Sequence, residues 1–351
     1  MCPRNSWIKE GIGDMDFLSY ESLLQQVKEI DSLETVFFGG VAEPISHPDI
    51  IKMVEMAKGL GVRVELISNG SLLNVEIIEK LLYAGLSMLW ISIDKAHNDS
   101  VDKIIEDDGY ELAKANLLAF NLARRKINPN AELGIAFVAM KSNIEELPQI
   151  IRLGEVMGAR EIKISNIIPY VKEMQEEMLY SKSLSIIGSK EGRLQNRRPM
   201  ISMPIMDFEH LPKEVISSVM GSGRNIKLGE NMLVRKSSYC RFIQDDSVFV
   251  RWDGEVCPCI GLLHSSKAYL NDMERHIKYC SFGNINNASL KRIWEGEEYT
   301  KFRTKVRDFS FSPCSTCGPC SFAENNEEDC FGNLFPTCGA CLWSEGFAQC
   351  P

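Results

Sequence analysis

Between Cys2 and Cys240 the chain has no cysteine at all; the other eleven of its twelve lie from Cys240 to Cys350. Histidine is scarce too. The five residues His47, His97, His210, His264 and His276 form no pair at metal-ligand spacing, so none is assigned to a metal. His264 stands apart only because it lies in the cysteine-rich tail. No apolar run reaches the length needed to cross a bilayer, and the N-terminus has no signal-type apolar segment, so no membrane partner is expected and the cytosol is the default compartment. An excess of positive charge is also missing. With 39 basic against 48 acidic residues the formal charge is −9, which argues against a nucleic-acid partner. The short basic cluster Arg193, Arg197 and Arg198 reads as a solvated loop. Neither internal repeats nor low-complexity tracts occur.

What remains is an ordinary globular composition: 351 residues, 44% hydrophobic and 25% charged, enough for one large or two medium domains. From residue 17 to 167 helix-like and strand-like blocks alternate. Helical spacing covers Phe17–Ile30, Pro48–Leu60, Val75–Ala84, Val101–Arg125 and Ile144–Met157. Between them, β-rich runs cover Glu34–Phe38, Val62–Ile67, Ser87–Ile93, Ala131–Met140 and Glu161–Ile167. Strands apolar on both faces and separated by helices indicate an α/β fold with parallel pairing covered by helices. Residues 168–235 are less regular, with a plausible helix over Ile205–Met220 and a possible strand over Arg224–Leu233. Beyond about Ser238 the chain becomes rich in Cys, Gly, Pro and Asn with little periodicity, as expected of a segment that metals hold together. Three regions follow: 1–167, 168–235 and 236–351.

Several strand ends carry chemistry-bearing residues. Gly39 and Gly40 let a backbone approach a ligand closely, and Glu43, followed by Pro44, is placed to receive an ammonium group; an ordinary tight turn explains the same residues. Alternation puts Ser92 and Asp94 on one strand face, where a ribose would supply partners, although both fit as helix caps. Asn166, at the end of the last strand, fits either reading.

In the tail, Cys314, Cys317 and Cys320 are two residues apart in turn, then come Cys330, the pair Cys338 and Cys341, and Cys350. Cysteines two residues apart can fold onto one soft metal centre. Disulfides would need an oxidising compartment, to which nothing here points. A zinc ribbon usually shows two separated pairs, whereas this tail offers thiolates enough for two iron–sulfur clusters.

The order of these motifs resembles the radical S-adenosylmethionine (SAM) enzymes, whose fold is a partial (β/α)6 barrel. In that family a Cys-x3-Cys-x2-Cys loop after the first strand holds a 4Fe–4S cluster that chelates SAM. Cys2 matches the third of those cysteines. Gly39, Gly40, Glu43 and Pro44 match the motif that binds the SAM amino group, with Ala42 where the family usually has glycine. Ser92 and Asp94 match the ribose-contacting strand, and Asn166 matches a position on the last strand. The chain begins inside the cluster loop, so the first two cysteines and the first barrel strand are expected to be missing, leaving an open edge beside Glu34–Phe38.

The tail is similar to the SPASM extension of such enzymes, which carries auxiliary clusters. Cys240, Gly254 after thirteen residues and Cys259 after four more fit its opening. Phe282 to Ile285, Leu290, Ile293 and Trp294 fit the segment that follows. After Cys314 and Cys317 the family expects spacings of five and three, but here Cys320 follows after two residues and Cys330 after nine. The implied ligand pool is Cys240, Cys259, Cys314, Cys317, Cys320, Cys330, Cys338, Cys341 and Cys350, one more than two clusters need. Cys257 and Cys280 read as buried small hydrophobes. The Asp329 to Asn333 and Pro336 to Trp343 segments resemble maturases linked to tungsten-cofactor oxidoreductases. The resemblance implies reductive cleavage of SAM to a 5′-deoxyadenosyl radical, which abstracts a hydrogen from a peptide, a protein or a metallo-pterin precursor. A ferredoxin or flavodoxin would supply electrons. A non-catalytic iron–sulfur carrier or scaffold is the alternative for a chain with only one of the three loop cysteines.

Overall fold

The computed structural model describes residues 7, 11–93, 109–181, 200–204, 206, 211–212, 215, 225–228, 239–270, 273–312, 314–315 and 320–350. Seven parallel strands form one sheet in sequential order: β1 (Thr35–Phe38), β2 (Arg63–Ser68), β3 (Met88–Ser92), β4 (Glu132–Ala139), β5 (Glu161–Asn166), β6 (Met200–Met203) and β7 (Asn225–Leu228). Sequential parallel order with right-handed crossovers puts every intervening helix on the same side, the construction of an open barrel. Those helices are α2 (Ile50–Lys58), α3 (Val75–Tyr83), α4 (Gly109–Ile127) and α5 (Leu147–Val156), while α1 (Phe17–Val27) precedes β1. Local chemistry starts them. Asp16 accepts the Ser19 N–H at 3.0 Å, and Asn74 accepts that of Ile77 at 2.9 Å. The apolar run from Ile144 is divided: a short 3-10 turn over Ile144–Glu146 precedes α5, whose first turn holds Pro148.

Strand alternation sorts the two faces of the sheet. Val64, Leu66, Leu89, Ile91, Leu133, Ile135, Ile162 and Ile164 pack with Ile78, Leu81, Leu117, Phe120 and Ile150 from the helices. The opposite, inner face is polar at its floor. Glu65 accepts the Trp90 indole N–H at 2.7 Å and the Arg63 guanidinium, which also reaches Glu132 at 2.6 Å. Lys163, 4% exposed, lies 5.2 Å from the Trp90 ring centre and 3.6 Å from Glu161. A buried ammonium needs such partners. Gly134 makes the close packing possible, since a Cβ there would fall 2.3 Å from the Trp90 ring.

Two strands of the sheet come from the less regular region. Within the strand expected over Arg224–Leu233, β7 forms over four residues, while β6 had no periodic signal because four residues are too few to show one. Most of the helix expected over Ile205–Met220, and residues 101–108 of the expected long helix, lie outside the described residues.

The tail is more structured than its composition suggests. It contains α6 (Arg241–Gln244), β8 (Phe249–Val250), β9 (Val256–Cys257), the antiparallel hairpin β10 (Ser266–Leu270) and β11 (Met273–Ile277), α7 (Leu290–Trp294) and α8 (Glu297–Asp308). The apolar stripe of α8 is only Tyr299, Phe302 and Val306 among seven charged residues, so its mean hydropathy hides it. A second core joins these residues to Tyr20, Leu24 and Val27 of α1, so α1 serves the tail as much as the sheet. Gln26 fastens that contact, donating to the Ile285 carbonyl at 3.3 Å and accepting the Leu290 N–H at 2.7 Å.

Candidate cofactor and cluster sites

The loop after β1 is shaped by two glycines. A Cβ on Gly39 would lie 2.1 Å from the Phe37 ring and 2.7 Å from Ile67, and Gly40 has φ +115°. Glu43 caps the 3-10 turn Pro44–Ser46. One carboxylate oxygen accepts the Ile45 N–H at 3.2 Å, and the other accepts the Asn69 N–H at 2.8 Å. The carboxylate thus ties the loop after β1 to the loop after β2, at the ends of adjacent strands. Two N–H donors leave lone pairs on a carboxylate for a further cation. Ser92 ends β3 on the Trp90 side, the inner face. Asn166 is 2% exposed and continues the parity of Ile162 and Ile164, toward the helices, while Ser165 takes the inner side. Cys2, Asp94 and Cys317 lie outside the described residues.

In the tail, the structure brings together cysteines remote in sequence. Cys259 and Cys338 each lie in the electrostatic field of both Cys240 and Cys341, and Cys338 also acts on Cys259. Burial pushes the thiols of Cys259 and Cys338 well above the ordinary range, and their neighbours' charge pushes further. At Cys341 burial also raises the thiol, opposed by the Ser344 and Trp343 N–H groups and the Ser344 hydroxyl. Such thiols stay protonated without metal and would give up their protons on ligation, where a metal's charge and, at Cys341, these N–H donors would stabilise the thiolate. Among the described residues, no three His, Cys, Asp or Glu side chains close on a single ion. The four thiols share one desolvated region, and an all-sulfur donor set is the kind an iron–sulfur cluster takes.

The other cysteines differ. Cys314 is buried, its sulfur 2.8 Å from the Ser312 hydroxyl, while Cys320 is half-buried and Cys330 exposed. Asp329, 1% exposed, holds this segment, accepting the N–H groups of Ser312, Phe331 and Asn333, each at 3.0 Å. Gly339 touches the same segment so closely that a Cβ would lie 1.9 Å from the Ser312 carbonyl oxygen. The sulfur of Cys350 accepts the Trp343 indole N–H at 3.3 Å. Cys257 and Cys280 are buried, as read from the sequence, and burial pushes both thiols up to about 12.

Two further contacts join the tail to the rest of the chain. Trp7 stacks on His264, with ring centres 3.7 Å apart, and bridges to Ser266. The Gln349 N–H donates to the Ser165 hydroxyl at 2.9 Å, at the end of β5. Neither contact carried a local sequence signal.

Comparison with known proteins now decides the family. The Radical SAM superfamily matches residues 1–154, and the SPASM iron–sulfur cluster-binding domain matches residues 240–321. The chain belongs to the radical SAM enzymes that carry a SPASM domain. A tungsten-containing aldehyde ferredoxin oxidoreductase cofactor-modifying protein of Pyrococcus furiosus is 28% identical over 358 residues, covering 100% of this chain and 92% of that protein. The PqqA peptide cyclase of Gluconobacter oxydans is 26% identical over 166 residues, covering 47% of this chain and 44% of the cyclase. Among solved structures, Streptococcus suis SuiB bound to S-adenosylmethionine aligns with TM-score 0.53 and 15% identity, over 88% of this chain and 65% of SuiB. A structure of anSMEcpe with bound AdoMet gives 0.55 and 13%, over 90% and 77%. At such identities these structures bear on the fold, which they share. The two families together imply 4Fe–4S clusters and SAM as cofactors.

Among the described residues no helix is long and apolar enough to cross a membrane.

Proposed function

We propose that this protein is a maturase that modifies a metal-cofactor precursor of the tungsten-pterin type by hydrogen abstraction. The supporting observation is the extent and level of likeness: the cofactor-modifying relative matches 100% of this chain at 28% identity, whereas PqqA peptide cyclases match 47% of it at 26% in one case and 83% of it at 23% in another. SAM and its cluster supply a carbon-centred radical after one-electron reduction by a donor such as ferredoxin or flavodoxin. The protein positions and shields. Gly39 and Gly40 admit the SAM backbone, Glu43 takes its ammonium group, and Pro44 fixes the turn beneath. Ser92 and Asp94 line the ribose side, Cys2 contributes to the SAM-binding cluster, and Asn166, which the resemblance put beside them, instead turns toward the helices. One auxiliary cluster is held by Cys240, Cys259, Cys338 and Cys341. Cys314, Cys317, Cys320 and Cys330 hold the other, with Cys350 the spare. By this assignment residues 1–167 form the SAM barrel, 168–235 its extension and 236–351 the auxiliary-cluster domain.

The test is anaerobic turnover by protein carrying the complete Cys-x3-Cys-x2-Cys loop, offered a pterin-dithiolene precursor or a peptide. SAM consumption coupled to a change in the pterin supports the reading; coupling to the peptide alone overturns it. Glu43→Ala should weaken SAM binding by about 1.5–3 kcal/mol, the worth of a charged hydrogen bond. Unchanged affinity would reduce Glu43 to a tie between two loops. Cys259→Ser combined with Cys341→Ser should remove about four irons.

A further inference from the structure

Tyr299 stands in the first turn of α8 with its ring held from three sides. It lies flat on Phe282 at 4.3 Å with 4° between planes, Trp294 meets it at 5.2 Å and 73°, and the Arg303 guanidinium sits 4.5 Å from its centre. The residue is 1% exposed, and its hydroxyl has no hydrogen-bond partner among the described residues. A buried hydroxyl without an acceptor is costly, and phenylalanine would fill this aromatic slot without that cost. The hydroxyl therefore calls for an acceptor that is not a protein atom of the described chain. The neighbourhood says what kind. Tyr299 belongs to the same packed core as Cys240 and Cys280, with Cys259 and Cys338 against it. Cys259 is the thiol whose charge Tyr299 feels most.

We propose that the Tyr299 hydroxyl donates a hydrogen bond to a sulfur of the cluster bound through Cys259, and that this bond raises the cluster's reduction potential. The acceptor is the Cys259 thiolate or an inorganic sulfide of the cluster. The inference rests on the quartet assignment above. The sign follows from charge: reduction makes the cluster more negative, and a donor to its sulfur stabilises the reduced form more than the oxidised one. Tyr299 acts here as a positioning and tuning residue; it moves no proton and touches no substrate.

The test is a redox titration of anaerobically reconstituted full chain, followed by electron paramagnetic resonance and visible absorbance. Tyr299→Phe keeps the ring stack and deletes the donor. Its iron and sulfide contents should equal those of the wild type. At a fixed potential the reduced-to-oxidised ratio of the Cys259 cluster should fall about tenfold, which for one electron is 59 mV. Replacing Tyr299 by a tyrosine fluorinated beside the hydroxyl strengthens the donor and should shift the potential upward with the fold intact. In cluster-free protein, Tyr299→Phe should leave the unfolding temperature unchanged or raise it, because the removed hydroxyl had no partner there. Unmoved potentials in both variants at full iron content overturn this proposal alone, the hydroxyl then meeting a buried water. Cys259→Ser with undiminished iron overturns the quartet assignment and the proposal with it.

Discussion

The barrel and the tail bury their interiors by different means. The barrel's core is aliphatic and repetitive: five strands and four helices contribute Val, Leu and Ile at regular intervals, and its charged floor is paired within the sheet. The tail's elements are short, and its core mixes stacked aromatic rings with thiols gathered from positions 240 to 341. Hydrophobic burial grows with the area that regular elements cover, so the barrel closes with its own side chains. The tail leaves several thiols desolvated and the Tyr299 hydroxyl without a partner among the described residues, groups that ligation to iron and sulfide would satisfy. A fold of the second kind couples its stability to its cofactor. A fold of the first kind does not.

The sharpest way to break this comparison is a core deletion in the barrel. Phe120→Ala removes a fully buried ring between α4 and the sheet and should cost about 3–5 kcal/mol. Denaturant unfolding of the barrel should shift accordingly, with tail iron retained under native conditions; loss of that iron would show the two cores to be one cooperative unit. Next in size, Gly339→Ala forces a Cβ against the Ser312 carbonyl and should cost about 3 kcal/mol. Here the expected readout is reversed: the tail loses iron and is cleaved faster by protease, while the barrel's unfolding barely moves. Intact iron in Gly339→Ala would mean that the Ser312 and Cys338 segments need not touch for ligation.

The smallest effect concerns pH. Burial of Asp253 pushes its carboxyl up, but Arg251, 2.5 Å away, outweighs it and the net shift is downward. A lowered carboxyl stabilises the folded state above its unfolded value of about 3.9, and that contribution disappears as pH falls through the folded value. The turn between β8 and β9 should therefore hold through neutral and mildly acidic pH and loosen only below about pH 4. Asp253→Asn should cost at most about 1 kcal/mol and flatten that acid dependence. A turn equally acid-sensitive in Asp253→Asn would assign the effect to another group.

Much of the barrel was legible in the sequence because its signals are local. The runs Val62–Ile67 and Glu161–Ile167 became β2 and β5 within a residue at each end, and Val75–Ala84 became α3, since period and capping are written in neighbouring residues. The glycine pair before Glu43 was visible for the same reason. β6 escaped, being too short to show a period, and α8 escaped because three apolar residues among seven charges look like a solvent-facing helix.

The sequence by itself determined the parallel α/β pattern, the position of the strand-end loops and the concentration of thiols in the tail. Only the tertiary structure decided which thiols meet. Spacing along the chain limits how cysteines two apart can turn, as Cys338 and Cys341 do, but says nothing about Cys240 and Cys259 arriving beside them from roughly a hundred and roughly eighty residues away. The same holds for Tyr299, whose local context is a charged helix and whose hydroxyl acquires meaning only when Phe282, Trp294 and the thiols close around it. Side-chain period is a property of adjacent residues, whereas desolvation and ligand geometry are properties of segments packed together, and those contacts exist only after the chain has folded.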